Sequence, residues 1–147
     1  MKFRIILMGT ILLAGMADGS FADCTSTQVT DTTTPTLFDF LKNNTVCVSD
    51  GSGGWKNQEY HSTNPSGSGY ELIDWKMGSD PKDPTGKVGT WNVSGTGGAN
   101  TFVTYVYDDG GTYQYTVHDN GGGSITFCEG TTPNATASYY SGQVACH

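Results

Sequence analysis

Apolar and polar positions alternate with a period of two through most of this chain, and glycines interrupt the alternation at short intervals. The clearest stretch is residues 101–107 followed by 112–118, with Asp108-Asp109-Gly110-Gly111 between them. In the second arm Tyr113, Tyr115 and Val117 share one face, while Thr112, Gln114, Thr116 and His118 share the other. That pattern predicts a hairpin with one dry and one wet face. The same reading places further strands at 45–49, 55–61, 70–76, 87–93, 124–129 and 135–140. Turns fall at Asp50–Gly54, Asn64–Gly69, the Pro-rich 78–84 and Asp119–Gly123. Seven to eight strands at roughly 8–15-residue spacing predict an all-β domain, a small antiparallel barrel or sandwich. Short consecutive turns favour a meander over a Greek key.

One segment has helical spacing. Thr34 can cap, Pro35 suits the first helical position, and Leu37, Phe38 and Leu41 share a face, so a short N-terminal helix is expected to plug the sheet core. Residues 23–34 are polar and read as an extended lead-in. Ahead of them, Met1-Lys2-Phe3-Arg4 is basic, Ile5 to Met16 is apolar, and Ser20 and Ala22 are small residues at the positions a signal peptidase reads. Residues 1–22 are therefore expected to be a signal peptide, residues 23–44 the lead-in and helix, and residues 45–147 the β domain. No segment approaches the ~20 apolar residues of a spanning helix, so membrane insertion is not expected.

Charge narrows the partners. The chain carries a net charge of -7, and removing residues 1–22 leaves five lysines and no arginine against thirteen acids. A nucleic-acid binder needs a basic stripe, so nucleic acid is set aside.

Four cysteines in an exported chain predict two disulfides. Their spacings of 23, 81 and 18 residues do not suit zinc, and Asp23 before Cys24 argues against a lipoprotein anchor. Pairing strand with strand and terminus with terminus gives Cys47–Cys128 and Cys24–Cys146 as the expectation.

Little in the sequence carries chemistry. His61 lies two positions from Glu59 and shares its strand face, which makes an acid–base pair geometrically possible; His118 precedes Asp119. No serine or cysteine occupies a nucleophile elbow, so His61, His118 and His147 read as exposed strand-end residues. Asp50, Asp80, Asp83, Asp108, Asp109 and Asp119 fall in turns, but no calcium-loop motif joins them, and no metal or cofactor is expected. Trp55, Trp75 and Trp91, with eight tyrosines, can line a ligand cavity or fill a core. Gly89-Thr90-Trp91 resembles the Gly-x-Trp of lipocalins and avidins. In lipocalins, however, that motif sits on the first barrel strand, whereas here it lies three strands later, so the family is not carried over. Trp91 itself is expected to be buried and structural.

The leading expectation is an exported, non-catalytic β domain that binds a small molecule, glycan or protein partner, with Trp55, Trp75, His61 and His118 as candidate ligand-binding residues. A small secreted hydrolase or hydrolase inhibitor using His61, Glu59 or His118, and a structural or surface-assembly subunit, are the alternatives.

Overall fold

The computed structural model of the protein describes residues 24–75 and 85–147. The expected signal peptide, and the Pro-rich segment with Asp80 and Asp83, lie outside the described residues. The described chain runs β1 (Thr27–Val29), α1 (Leu37–Leu41), β2 (Asn44–Ser49), β3 (Trp55–Ser66), β4 (Gly69–Asp74), β5 (Gly86–Ser94), a 3-10 turn (Gly98–Asn100), β6 (Phe102–Tyr107), β7 (Thr112–Gly121), β8 (Ser124–Glu129) and β9 (Thr132–Ser141).

Each strand from β2 to β9 pairs antiparallel with the next, and β9 returns to β2 through Val46↔Tyr139 and Cys47↔Ser138. The result is a closed eight-stranded meander barrel. Closure removes the unpaired edges that an open sheet of this size would expose. The extra strand β1 joins β7 at Val29↔Val117, just beyond the Val103↔Tyr115 pair where β6 ends its own pairing.

The period-two alternation decides what fills the barrel. Val46, Leu72, Trp91, Val103, Tyr105, Val117, Ile125, Phe127 and Ala137 are buried in one core cluster. Their strand neighbours Thr90, Asn92, Thr104, Gln114 and Thr136 lie on the opposite face. This apolar-in, polar-out order is the reverse of a barrel that faces lipid. No helix among the described residues is long and apolar enough to cross a membrane.

Helix α1 stoppers one end. Leu37 and Leu41 are fully buried, and the Phe38 ring stacks on Trp91 at 5.4 Å between centroids. The cap is Thr36, whose hydroxyl accepts from Asp39 N at 3.2 Å, rather than the expected Thr34. Thr34 and Pro35 belong to the preceding turn, where Thr30 N donates to the Thr33 hydroxyl and that hydroxyl donates to the Pro35 carbonyl. Strand ends also differ from expectation: β9 starts at Thr132 instead of 135, where Glu129 pairs with Thr132, and β3 and β7 run on past their expected ends. β3 continues through Asn64 and Pro65, tolerated because the register shifts between His61 and Pro65, and only Gly67-Ser68 turns. β7 runs on to Gly121 because Thr116 to Gly121 pair with β8.

Both bridges exist with the opposite pairing to that expected: Cys24–Cys128 and Cys47–Cys146. β9 lies between β2 and β8, so Cys47 and Cys128 are separated by two strand spacings, about 10 Å, beyond what a disulfide spans. Each bridge instead fastens a terminal segment to the outer wall. Val46 and Phe127 point into the core, which turns Cys47 and Cys128 outward. The C-terminal tail covers Cys47, with Val144 N on the Thr45 hydroxyl and Cys146 N on Gln58 Oε1. The N-terminal lead-in crosses β7 toward Cys128, its Ser26 hydroxyl donating to Asn120 at 2.8 Å. Two disulfides are consistent with an oxidising, exported environment.

Candidate functional site

The end of the barrel opposite α1 holds a cavity of about 360 Å³. Its walls are the inward positions of six strands: Val46 and Val48 (β2), Asn57 and Glu59 (β3), Tyr105 and Tyr107 (β6), Tyr113 and Tyr115 (β7), Phe127 (β8) and Ala135 (β9), with Lys56 and Asp109 at the rim. The Tyr-x-Tyr runs of β6 and β7 flank one turn, so antiparallel pairing sets Tyr105 directly opposite Tyr113. Their rings continue as an aromatic wall: Tyr107–Tyr113 at 5.8 Å, Tyr113–Tyr115 at 6.4 Å and Tyr115–Phe127 at 5.9 Å. A second hollow shares Lys56, Asn57, Glu59, Tyr107 and Asp109 with the first, and adds Asp74, Val88 and Asp108. Glu59 and Tyr107 stand where the two meet.

Glu59 is the polar centre of this space. The Tyr107 hydroxyl donates to both carboxylate oxygens at 2.8 and 3.0 Å, and Asn57 Nδ2 donates at 3.3 Å. Asp74 lies directly opposite it on β4. Burial raises the Glu59 pKa; the Tyr107 and Asn57 hydrogen bonds work against that, and the Asp74 charge adds to it. Among the described residues no lysine or histidine forms an ion pair with Glu59, and Lys87 is engaged with Asp108 at 3.0 Å.

Below the cavity the polar chain continues inward. Tyr105 Oη and His61 Nε2 are 2.8 Å apart, and Trp91 meets His61 edge-on at 5.0 Å. His61 is fully buried, and its Nδ1 has no hydrogen-bond partner of adequate geometry. Burial pushes its pKa down to about 4, opposed in part by the Asn44 and Glu59 backbones, so the ring is neutral. Burial also raises the Tyr105, Tyr107 and Tyr115 hydroxyls, which therefore remain neutral phenols and hydrogen-bond donors.

The residues singled out from the sequence are scattered by this geometry. His61 and Glu59 do share the inward face of β3, but two tyrosines stand between their polar groups and any common reactant: Glu59 bonds Tyr107, and His61 bonds Tyr105. His61 and His118 are buried, not exposed as expected. His118 is on the outer wall, its Nδ1 2.9 Å from the Ser26 carbonyl and its Nε2 3.2 Å from the Thr116 hydroxyl, because the lead-in lies over it. Trp55 opens β3 and Trp75 follows β4, and neither lines the two hollows. Asp50 accepts from Ser52 N and Gly54 N, and Asp119 from Gly121 N, which is turn chemistry. Among the described residues no group of three or more His, Cys, Asp or Glu side chains could hold a metal ion. Sequence reasoning missed the tyrosines of β6. The signal that finds them is the mirrored pair Tyr105-Val106-Tyr107 and Tyr113-Gln114-Tyr115 about one Asp-Gly turn.

No protein family, characterised protein or solved structure gives a significant match to this chain.

Proposed function

We propose that the protein is an exported, non-catalytic binder of a small molecule, held in the mouth of its barrel. The observation that carries this reading is the cavity of about 360 Å³, walled by inward aromatic faces around one largely buried, hydrogen-bonded carboxylate. Small-molecule sites are concave and mostly apolar, with a few placed polar groups and volumes of roughly 300–1,000 Å³. A glycan platform or a protein-docking face would instead place aromatics on an outer wall. The hydrolase alternative has little support: His61 is sealed behind Tyr105, His118 is tied down by the lead-in, and no hydroxyl in the cavity is primed as a nucleophile.

The test is a thermal-shift screen of small aromatic and aliphatic molecules, oligosaccharides and ester or glycoside substrates. Run on the disulfide-intact protein, it includes an Ala135→Phe variant that fills the cavity. A ligand that binds only the native fold raises its melting temperature by mass action. The expected result is a stabilising small molecule whose effect disappears in Ala135→Phe. Stabilisation by oligosaccharides alone, or substrate turnover lost in Glu59→Gln, would overturn the reading.

A further inference from the structure

We infer that the cavity selects an organic cation, an ammonium group carried on a small aromatic or aliphatic body. The inference rests on the small-molecule reading above and specifies the ligand's charge.

Three observations converge on it. The first is a negative charge without a positive partner. Glu59 lies directly across the β3–β4 pair from Asp74, so a second carboxylate stands close to it. Among the described residues no ion pair reaches Glu59: Lys87 is bound to Asp108, and Lys56 lies exposed at the rim. The second is that the Glu59 carboxylate holds donors that favour its ionised form against the cost of burial. Tyr107 and Asn57 both spend donors on its carboxylate, bonds that strengthen when the group is ionised. A pocket built for a neutral or anionic ligand would aim those donors at the ligand.

The third is the surface facing this charge. Tyr107, Tyr113 and Tyr115 present successive rings 5.8 and 6.4 Å apart, Tyr113 half-exposed at the mouth, and ring faces attract cations. Asp109 at the rim adds negative potential along the way in, against Lys56 as the positive charge among the described lining residues. An ammonium head beside Glu59, with its apolar body along Val46, Val48 and Phe127, would satisfy the carboxylate and use the aromatic wall together.

The experiment titrates three probes of one shape into the full, disulfide-intact protein at neutral pH: 2-phenylethylamine (cationic), 2-phenylethanol (neutral) and phenylacetate (anionic). Calorimetry reads affinity in wild type, Glu59→Gln, Asp74→Asn and Ala135→Phe. We expect the amine to bind about tenfold or more tighter than the alcohol, and phenylacetate most weakly. Glu59→Gln should bring the amine to the level of the alcohol, and Asp74→Asn should weaken the amine by a smaller factor. Circular dichroism shows whether each variant is folded, and Asp74→Asn carries the test if Glu59→Gln is not. An alcohol that binds as well as the amine, or an amine indifferent to both carboxylate variants, overturns the cation inference while leaving the cavity reading in place. Failure of all three probes at millimolar concentration, or binding unchanged in Ala135→Phe, overturns the cavity reading with it.

Discussion

Trp91 and His61 occupy the barrel axis without solvent exposure, yet both bring polar atoms with them. Trp91 resolves this by donating its indole N–H to the Ser62 carbonyl at 2.9 Å while stacking on Phe38. The close approach of β6 to β5 beside it depends on Gly89, where a Cβ would lie 2.3 Å from the Val106 carbonyl oxygen. Trp91→Ala should therefore cost about 3–5 kcal/mol, read as a lowered denaturant midpoint at unchanged slope. His61 satisfies only one ring nitrogen, and burial holds its pKa near 4 against an ordinary 6.5. Its neighbours are Tyr105, Trp91 and the Asn44 and Glu59 backbones, with the Glu59 carboxylate two positions along the strand. A depressed histidine pKa means that the unfolded chain takes up the proton first. The contribution of neutral His61 to stability is thus complete above pH ~6.5 and is lost as the pH falls toward about 4, by about 3 kcal/mol in all. A His61→Gln variant, whose amide can still bond Tyr105, should lose that part of the acid limb. Melting temperatures of the two proteins across pH 4 to 7 check it: parallel curves would show that His61 does not titrate differently on unfolding.

Strands were the legible elements, because period-two alternation and Gly-rich turns are local signals. β8 falls at 124–129 as its pattern predicts, and Tyr115 and Val117 pack on the core from β7, whereas Tyr113 on the same face is half-exposed at the barrel mouth and not dry as expected. What failed was set by partners distant in sequence. Pro65 reads as a turn residue, but a register shift admits it to β3. Thr34-Pro35 reads as a helix start, but the Thr30–Thr33 turn consumes it. The disulfide pairing followed from closure, since β9 comes between β2 and β8 and sends each terminal segment to a different outer wall. The site was half visible: Glu59 was a candidate acid, but tryptophan drew attention away from the tyrosines that line the cavity. Only the placement of α1 decides which end of the barrel is stoppered and which is hollow. Peptide mapping under non-reducing conditions should link Cys24 to Cys128 and Cys47 to Cys146. Replacing both Cys47 and Cys146 by Ser opens a separation of 99 residues and should cost about 4–5 kcal/mol in the chain-entropy account. Because only the tail lies under that bridge, binding at the opposite, inward face should persist wherever the variant is folded.

The whole molecule sets stability against binding at Glu59. A largely buried carboxylate facing Asp74 has its pKa raised, so protonating it is easier in the fold than in the unfolded chain. Its cost is full above its raised folded value and fades as the pH falls through that value toward the ordinary 4.5, below which folded and unfolded chains are both protonated. Tyr105, Tyr107, Tyr113, Tyr115, Asp74, Asp108, Asp109 and Lys56 are the other described titratable groups around this space, and burial keeps Tyr105, Tyr107 and Tyr115 neutral throughout that range. Glu59→Gln keeps an acceptor for Tyr107 and removes the charge, so it should raise the melting temperature at neutral pH, with the gain shrinking as the pH approaches 4.5. The same substitution should abolish the preference for an amine over its neutral isostere. A bound ammonium favours the ionised carboxylate, so amine binding near the Glu59 pKa should release a proton, and its calorimetric heat should depend on the ionisation heat of the buffer. Glu59→Gln should remove that dependence. A variant that is less stable than wild type at neutral pH, with amine binding unchanged, would make Glu59 a structural partner of Tyr107 and not the counter-charge of a ligand.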